Sequence, residues 1–298
     1  MGHGSYTASD WVKLKQSRGI NSQSSVNQLF TKRQMDDKYN PRFIQYRESC
    51  DSDDSPESTP IIIGFDVTGS MGYLAEEIAK NAMNETVTQI YDKQPVTNPH
   101  ILCAAFGNHG DGAPLQVTQF EADIRVVEQL LDLWIERHGN GYSGDTFVWY
   151  FAAKHTKIDS YLKRGKKGFL FTLGDDFCSE KLNSNTILNI FGDKDDRYTP
   201  EELIAQASVM YEVFHIVTKP LSNSYVESWQ KLMPGRVAVV DAASISYLPQ
   251  VITSIMQLTN GKPRDEVLAQ WEGDAKTAVA KAIKTISLSK PKKWYWPF

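Results

Sequence analysis

Asp66, Thr68 and Ser70 stand at alternate positions in the run Pro60-Ile61-Ile62-Ile63-Gly64-Phe65-Asp66-Val67-Thr68-Gly69-Ser70-Met71-Gly72. A carboxylate followed by two hydroxyls is an all-oxygen donor set, the kind that a hard cation such as Mg2+ takes. The apolar run before it, bounded by Pro60 and a glycine-rich turn, reads as a buried parallel strand over 61–67. Ligands of open α/β sheets sit outside the carboxyl ends of the strands, which is where this run puts Asp66. Leu74, Ile78, Met83, Val87, Ile90 and Tyr91 then recur near the helical period, so a helix over 73–92 is expected.

The run resembles the first loop, Asp-x-Ser-x-Ser, of the metal-ion-dependent adhesion site (MIDAS) of von Willebrand factor A (vWA) domains, with Thr68 in place of the first Ser. The resemblance implies two further loops. Counting back from Val148 through Gly139-Asn140-Gly141-Tyr142-Ser143-Gly144-Asp145-Thr146 puts Ser143 at the family's Thr position, with Thr146 as the substitute if the helix starts later. Thr172-Leu173-Gly174-Asp175-Asp176 is the third loop; its carboxylate is shifted by a residue or two, which selects Asp175 and leaves Asp176 as an alternative. Asp66, Thr68, Ser70, Ser143 and Asp175 would then hold Mg2+, or Mn2+ or Ca2+ in its place, with one position open for a carboxylate of a partner. The resemblance covers 60–260 and implies a non-enzymatic, Mg2+-dependent protein-binding module of the bacterial or phage type. Members of this kind work as adaptors or assembly factors beside AAA+ ATPases of the MoxR type, so such an ATPase is the partner it implies.

Other chemistries fit the residues less well. Thr68-Gly69-Ser70-Met71-Gly72 resembles a nucleophile elbow that has lost its first Gly, and Ser70, Asp175 and His215 follow the chain order of a serine hydrolase. That alternative leaves Asp66 and Thr68 unexplained, and residues 1–59 lack the strands that precede such an elbow. Gly139-x-Gly141-x-x-Gly144 has the spelling of a dinucleotide loop but follows a helical pattern instead of a strand. A helix N-cap is the plain structural reading of Asp66 taken alone. The six histidines form no His-x-x-x-His pair.

Positioning these residues takes alternating strands and helices. Strands are expected at 101–106, 115–120, 168–173, 213–217 and 237–240, and helices at 123–137, 145–162, 200–210 and 245–258. Thr199-Pro200-Glu201-Glu202 spells a capping box with Pro at the first helical position. Alternation of this kind predicts an α/β fold, doubly wound, with a mostly parallel central sheet and helices on both faces. The chain divides into a polar N-terminal extension (1–59), the α/β unit (60–260) and a C-terminal region (261–298). Trp11, Phe30, Phe43 and Tyr46 are the candidate anchors of the extension. The acidic run Asp193 to Asp196 reads as a solvated loop. After Pro263 one long amphipathic helix is expected to fold back on the unit, followed by the basic, aromatic tail Lys290–Phe298.

Composition sets the outer bounds. The net charge of −4 gives no reason to expect nucleic acid, and no run approaches the about 20 apolar residues that span a bilayer. The three cysteines are widely spaced and odd in number, which suggests neither a disulfide framework nor a zinc site and fits a reduced, cytoplasmic protein.

Overall fold

The computed structural model describes residues 8–21, 24–71, 83–136, 144–220 and 222–288. Its strands are β1 (Arg47–Ser49), β2 (Thr59–Asp66), β3 (Pro99–Phe106), β4 (Leu115–Val117), β5 (Thr156–Ile158), β6 (Gly168–Gly174), β7 (Tyr211–Thr218) and β8 (Val237–Val240). Its helices are α1 (Ala8–Arg18), α2 (Val26–Leu29), α3 (Met83–Lys93), α4 (Arg125–Leu131), α5 (Asp145–Lys154), α6 (Asp159–Arg164), α7 (Ser184–Phe191), α8 (Pro200–Met210), α9 (Asn223–Leu232), α10 (Leu248–Thr259), α11 (Arg264–Ala269) and α12 (Gly273–Ala282).

Six strands form one sheet in the order β4-β3-β2-β6-β7-β8, parallel except for the antiparallel β4 edge. Counted within the sheet alone, the order is 3-2-1-4-5-6, so the winding reverses between β2 and β6. Because side chains alternate across a strand, Ile61, Ile63, Phe65, Cys103, Phe169, Phe171 and Phe214 join the core on one face. Ile62, Leu102, Ala104, Leu170 and Val213 join the core on the other face. Helices α1, α4, α10 and α12 contribute to the first core and α5, α7 and α8 to the second. This is the expected doubly wound architecture.

Several local expectations change. The helix expected over 145–162 is broken at His155, where Thr156–Ile158 pairs in parallel with Arg47–Ser49 as a second, two-stranded sheet. The break is set by long-range pairing with Arg47–Ser49 and by a bond from the Thr156 hydroxyl across to Tyr211 Oη; the same hydroxyl also bonds back one turn to Ala152 O. The single helix expected after Pro263 is two, divided around Trp271, whose indole donates to Ser254 Oγ in the core. It folds back as expected, with Val279, Ile283 and Ile286 in the first core. The strand expected over 115–120 ends at Val117, and the helix expected over 123–137 is confined to Arg125–Leu131. The start of the helix expected over 73–92 lies outside the described residues, as does the Lys290–Phe298 tail.

The N-terminal region is anchored by Trp11 and Phe30, both buried, whereas Phe43 and Tyr46 are exposed. The acidic loop is more than solvated. Asp193 accepts from Tyr150 Oη at 2.8 Å and lies 2.8 Å from His155 Nε2, while Asp195 accepts from Tyr198 Oη at 2.9 Å. Nδ1 of His155 meets the carbonyls of Ile44 and Gln45 at 3.2 and 3.1 Å, so this ring ties the N-terminal region to the acidic loop.

Candidate metal centre

The end of β2 is built by what lies beneath it. Ala104, Gly64, Thr172 and His215 stand in register across β3, β2, β6 and β7, on the face that α5 covers. Three of the four are small. A Cβ on Gly64 would come within 3.0 and 3.1 Å of the two Val148 methyls, so glycine lets α5 lie close against β2. One residue pair further along the same face, Asp66 emerges at the carboxyl end of the strand, beside the reversal point where ligands of doubly wound sheets bind.

Asp66 is 1% exposed and accepts a hydrogen bond from the Thr68 amide at 2.8 Å. Burial pushes its carboxyl up to about 7; the amide and hydroxyl of Thr68 pull it down, and the charges of Asp145 and Asp175 push it further up. Thr68 is buried, and the chain then turns through a short 3-10 segment, Gly69–Met71, in which the Met71 amide bonds to Thr68 O at 2.8 Å. Ser70 lies on this turn, which places it beyond the strand end.

The second loop enters α5. Ser143 lies outside the described residues. Gly144 is the residue before the helix, and a Cβ there would collide with Gly107 O on the loop after β3. Asp145 and Thr146 open the helix, and both are fully buried. Among the described residues, neither carboxylate oxygen of Asp145 has a hydrogen-bond partner, nor has the Thr146 hydroxyl. Asp145 Oδ1 lies 3.4 Å from His215 Nδ1, yet that nitrogen has a closer partner in Thr172 Oγ1 at 2.9 Å.

In the third loop the two candidates differ in setting. Asp175 is 7% exposed and acts electrostatically on Asp66. The Asp176 carboxylate accepts from the amide of Phe177 at 2.7 Å, and its carbonyl accepts from Trp229 Nε1 at 2.9 Å. The fold thus brings Asp66, Thr68, Asp145, Thr146 and Asp175 to one end of the sheet. Asp145 is the member not singled out by the sequence. Its signal was its place beside Thr146 at the start of an apolar helix, where a carboxylate ordinarily serves the helix dipole from the surface.

His215, assigned to the hydrolase alternative, is fully buried. Its ring stacks on Trp229 at 3.5 Å between centroids and 9° between planes, and Nδ1 is engaged by Thr172. The ring is thus enclosed between an indole and the sheet.

The donor set fits a hard cation. Carboxylate and hydroxyl oxygens suit Mg2+, Mn2+ or Ca2+, whereas sites built for zinc use thiolate and imidazole. Among the described residues no three His, Cys, Asp or Glu side chains converge as a ready-made cage. Hydroxyls and bound waters would therefore complete the coordination, as is usual for Mg2+. The oxygens of Asp145 and Thr146, which have no hydrogen-bond partner among the described residues, fit such an ion, because buried polar atoms without partners are costly.

No family model matches the sequence, and no curated protein matches it. Similar solved structures include the open conformation of the pilus adhesin SpaC from Lactobacillus rhamnosus GG, with a TM-score of 0.48, 11% identity and coverage of 72% of this chain and 31% of that one. Another is proximal thread matrix protein 1 from the mussel byssus with a zinc-occupied MIDAS motif, with a TM-score of 0.42, 12% identity and coverage of 70% and 49%. A third is the conserved hypothetical protein BatB from Bacteroides thetaiotaomicron, with a TM-score of 0.40, 12% identity and coverage of 65% and 97%. The chain spans about a third of the adhesin and about half of the thread protein. These likenesses carry no residue assignment across. Among the described residues, no helix is long and apolar enough to cross a membrane.

Proposed function

We propose that this chain is a divalent-cation-dependent protein-binding module of the vWA type. The observation that carries the reading is the meeting of Asp66, Thr68, Thr146 and Asp175 at the carboxyl end of the sheet, beside its reversal point, with the Thr146 hydroxyl buried and bare. The cation is Mg2+, with Mn2+ or Ca2+ as substitutes. Ser70, on the turn after β2, is the second hydroxyl of the first loop, and Thr146 takes the Thr position that counting back from Val148 gave to Ser143. A partner protein supplies an Asp or Glu oxygen to the open coordination position. The module acts as an adaptor and not as an enzyme; the burial of His215 supports this, since it withdraws the base that a serine hydrolase would need. A MoxR-type AAA+ ATPase is the partner class to test first, and three unpaired cysteines fit a cytoplasmic setting.

Calorimetry with Mg2+ on the wild type and on Asp66→Ala tests the site: binding by the first and not the second is expected, and equal heats in both would sink the reading. A pull-down with and without EDTA tests the docking role, since a partner bridged by the ion is released when the ion is removed.

A further inference from the structure

Asp145 is a residue whose setting the hydroxyl-rich loops do not explain. It is the first residue of α5, fully buried, and among the described residues neither of its carboxylate oxygens accepts a hydrogen bond. An N-terminal acid that serves only the helix dipole does so from the surface and needs no burial, whereas burying a polar group without a hydrogen-bond partner is costly. A basic group, His215 Nδ1, lies 3.4 Å from its Oδ1, and that nitrogen is engaged more closely by Thr172 Oγ1 at 2.9 Å. The charge of Asp145 acts on Asp66 and on the Cys178 thiol, so its field falls on the end of β2 and on the loop after β6. Asp66, Asp145 and Asp175, all buried, thus stand at one end of the sheet, with the Thr146 hydroxyl, which has no partner among the described residues, next to Asp145. Like charges so placed are stable together when a cation lies among them.

We propose that Asp145 is a third carboxylate of the cation site, accepting from the water shell of a hydrated divalent ion held at the end of β2. This inference rests on the reading above that the site binds such an ion. Asp145 adds a negative charge to a set otherwise composed of two carboxylates and neutral hydroxyls, and so raises affinity for the ion itself, independently of any partner. In the ion-free protein it is a buried carboxyl without a hydrogen bond among the described residues, a lack that the ion's water shell makes good.

The test uses the full chain with Mg2+ and Mn2+ as probes, in calorimetry and in thermal unfolding with and without EDTA. Asp145→Asn keeps the shape and removes the charge. Its affinity for either ion should fall by about 10- to 100-fold, the range found when groups around a metal are altered. Its melting temperature in EDTA should match or exceed that of the wild type, and its rise on adding Mg2+ should be smaller. Asp145→Ser should behave alike. Overturning results are wild-type affinity in Asp145→Asn, or a melting temperature lowered in EDTA with an unchanged Mg2+-induced rise, which would make Asp145 a structural partner of His215. Failure of both variants to fold in EDTA would also overturn it, because the carboxylate would then be required without the ion. If Asp66→Ala loses binding while Asp145→Asn keeps it, only this inference falls. If the wild type binds neither ion, the parent reading falls and this inference with it.

Discussion

At the scale of single residues, Asp66 governs how the ion-free protein responds to pH. Burial raises its carboxyl from 3.8 to about 7. A group that holds its proton more tightly in the fold than in the unfolded chain contributes stability that is fully present below pH 3.8 and is lost as the pH rises through about 7. In EDTA, urea midpoints should therefore decline across that window, and Asp66→Asn, which cannot ionise, should flatten the decline. Saturating Mg2+ should flatten it in the wild type as well, since the ion holds the carboxylate form. Parallel profiles for wild type and Asp66→Asn would count against this account. The placement of Asp66, Thr68 and Asp175 at the carboxyl end of the sheet was legible in the sequence, because a buried strand delivers its last residues to a known end of the sheet. The burial of Asp145 was not, because a carboxylate beside Thr146 at a helix start ordinarily faces solvent, and its surroundings, His215, Thr172 and Asp66, reach it from β7, β6 and β2. The Cys103 thiol follows from simpler physics: it sits in a strand buried on both sides and is pushed up to about 12 by that burial alone. Iodoacetamide should spare it in the folded protein and modify it on unfolding, as mass spectrometry of the labelled peptide would show.

At the scale of elements, the approach of α5 to β2 decides where Asp145 and Thr146 stand. Gly64→Ala would set a methyl 3.0 Å from Val148 Cγ1 and 3.1 Å from Cγ2. Overpacking of this kind typically costs about 1–3 kcal/mol, and here it also levers the start of α5 away from Asp66. Weaker Mg2+ binding and a lower melting temperature are expected together; a stability loss with unchanged affinity would show that the helix start is held by other contacts, such as that of Gly144 with Gly107. Helix α8 provides a control away from the site. The Thr199 hydroxyl accepts from the Glu202 amide at 3.3 Å and the Glu202 carboxylate accepts from the Thr199 amide at 2.8 Å. Thr199→Ala should cost about 1 kcal/mol in chemical denaturation and leave Mg2+ binding untouched. That capping box was readable because its signal is local. The break between α5 and β5 was not, since helical periodicity continues through His155 and only pairing with Arg47–Ser49 ends it. Trp271 divides the C-terminal helices for the same kind of reason: its indole is drawn to Ser254 on another helix.

At the scale of the whole molecule, one core joins segments far apart in the chain. Trp11 and Phe30 from the N-terminal region, Ile61 and Phe171 from the sheet, and Val279 and Ile283 from the C-terminal helices belong to the same buried cluster. The proposed metal site is likewise assembled from the end of β2, the start of α5 and the loop after β6, so no short fragment of the unfolded chain reproduces it. A ligand that binds the folded state alone stabilises it by about 2.7 kcal/mol at a hundredfold excess over its dissociation constant. Each kcal/mol raises the melting temperature of a chain approaching this size by about 2–4 °C, so saturating Mg2+ should add about 5 °C or more to the wild type. Because the cluster ties the sheet to both terminal regions, the shifted transition should remain single by circular dichroism and tryptophan fluorescence, with Trp11, Trp229 and Trp271 reporting from three parts of the fold. In Asp66→Ala the rise should vanish while the transition stays single. An equal rise in both proteins would place the ion elsewhere on the molecule.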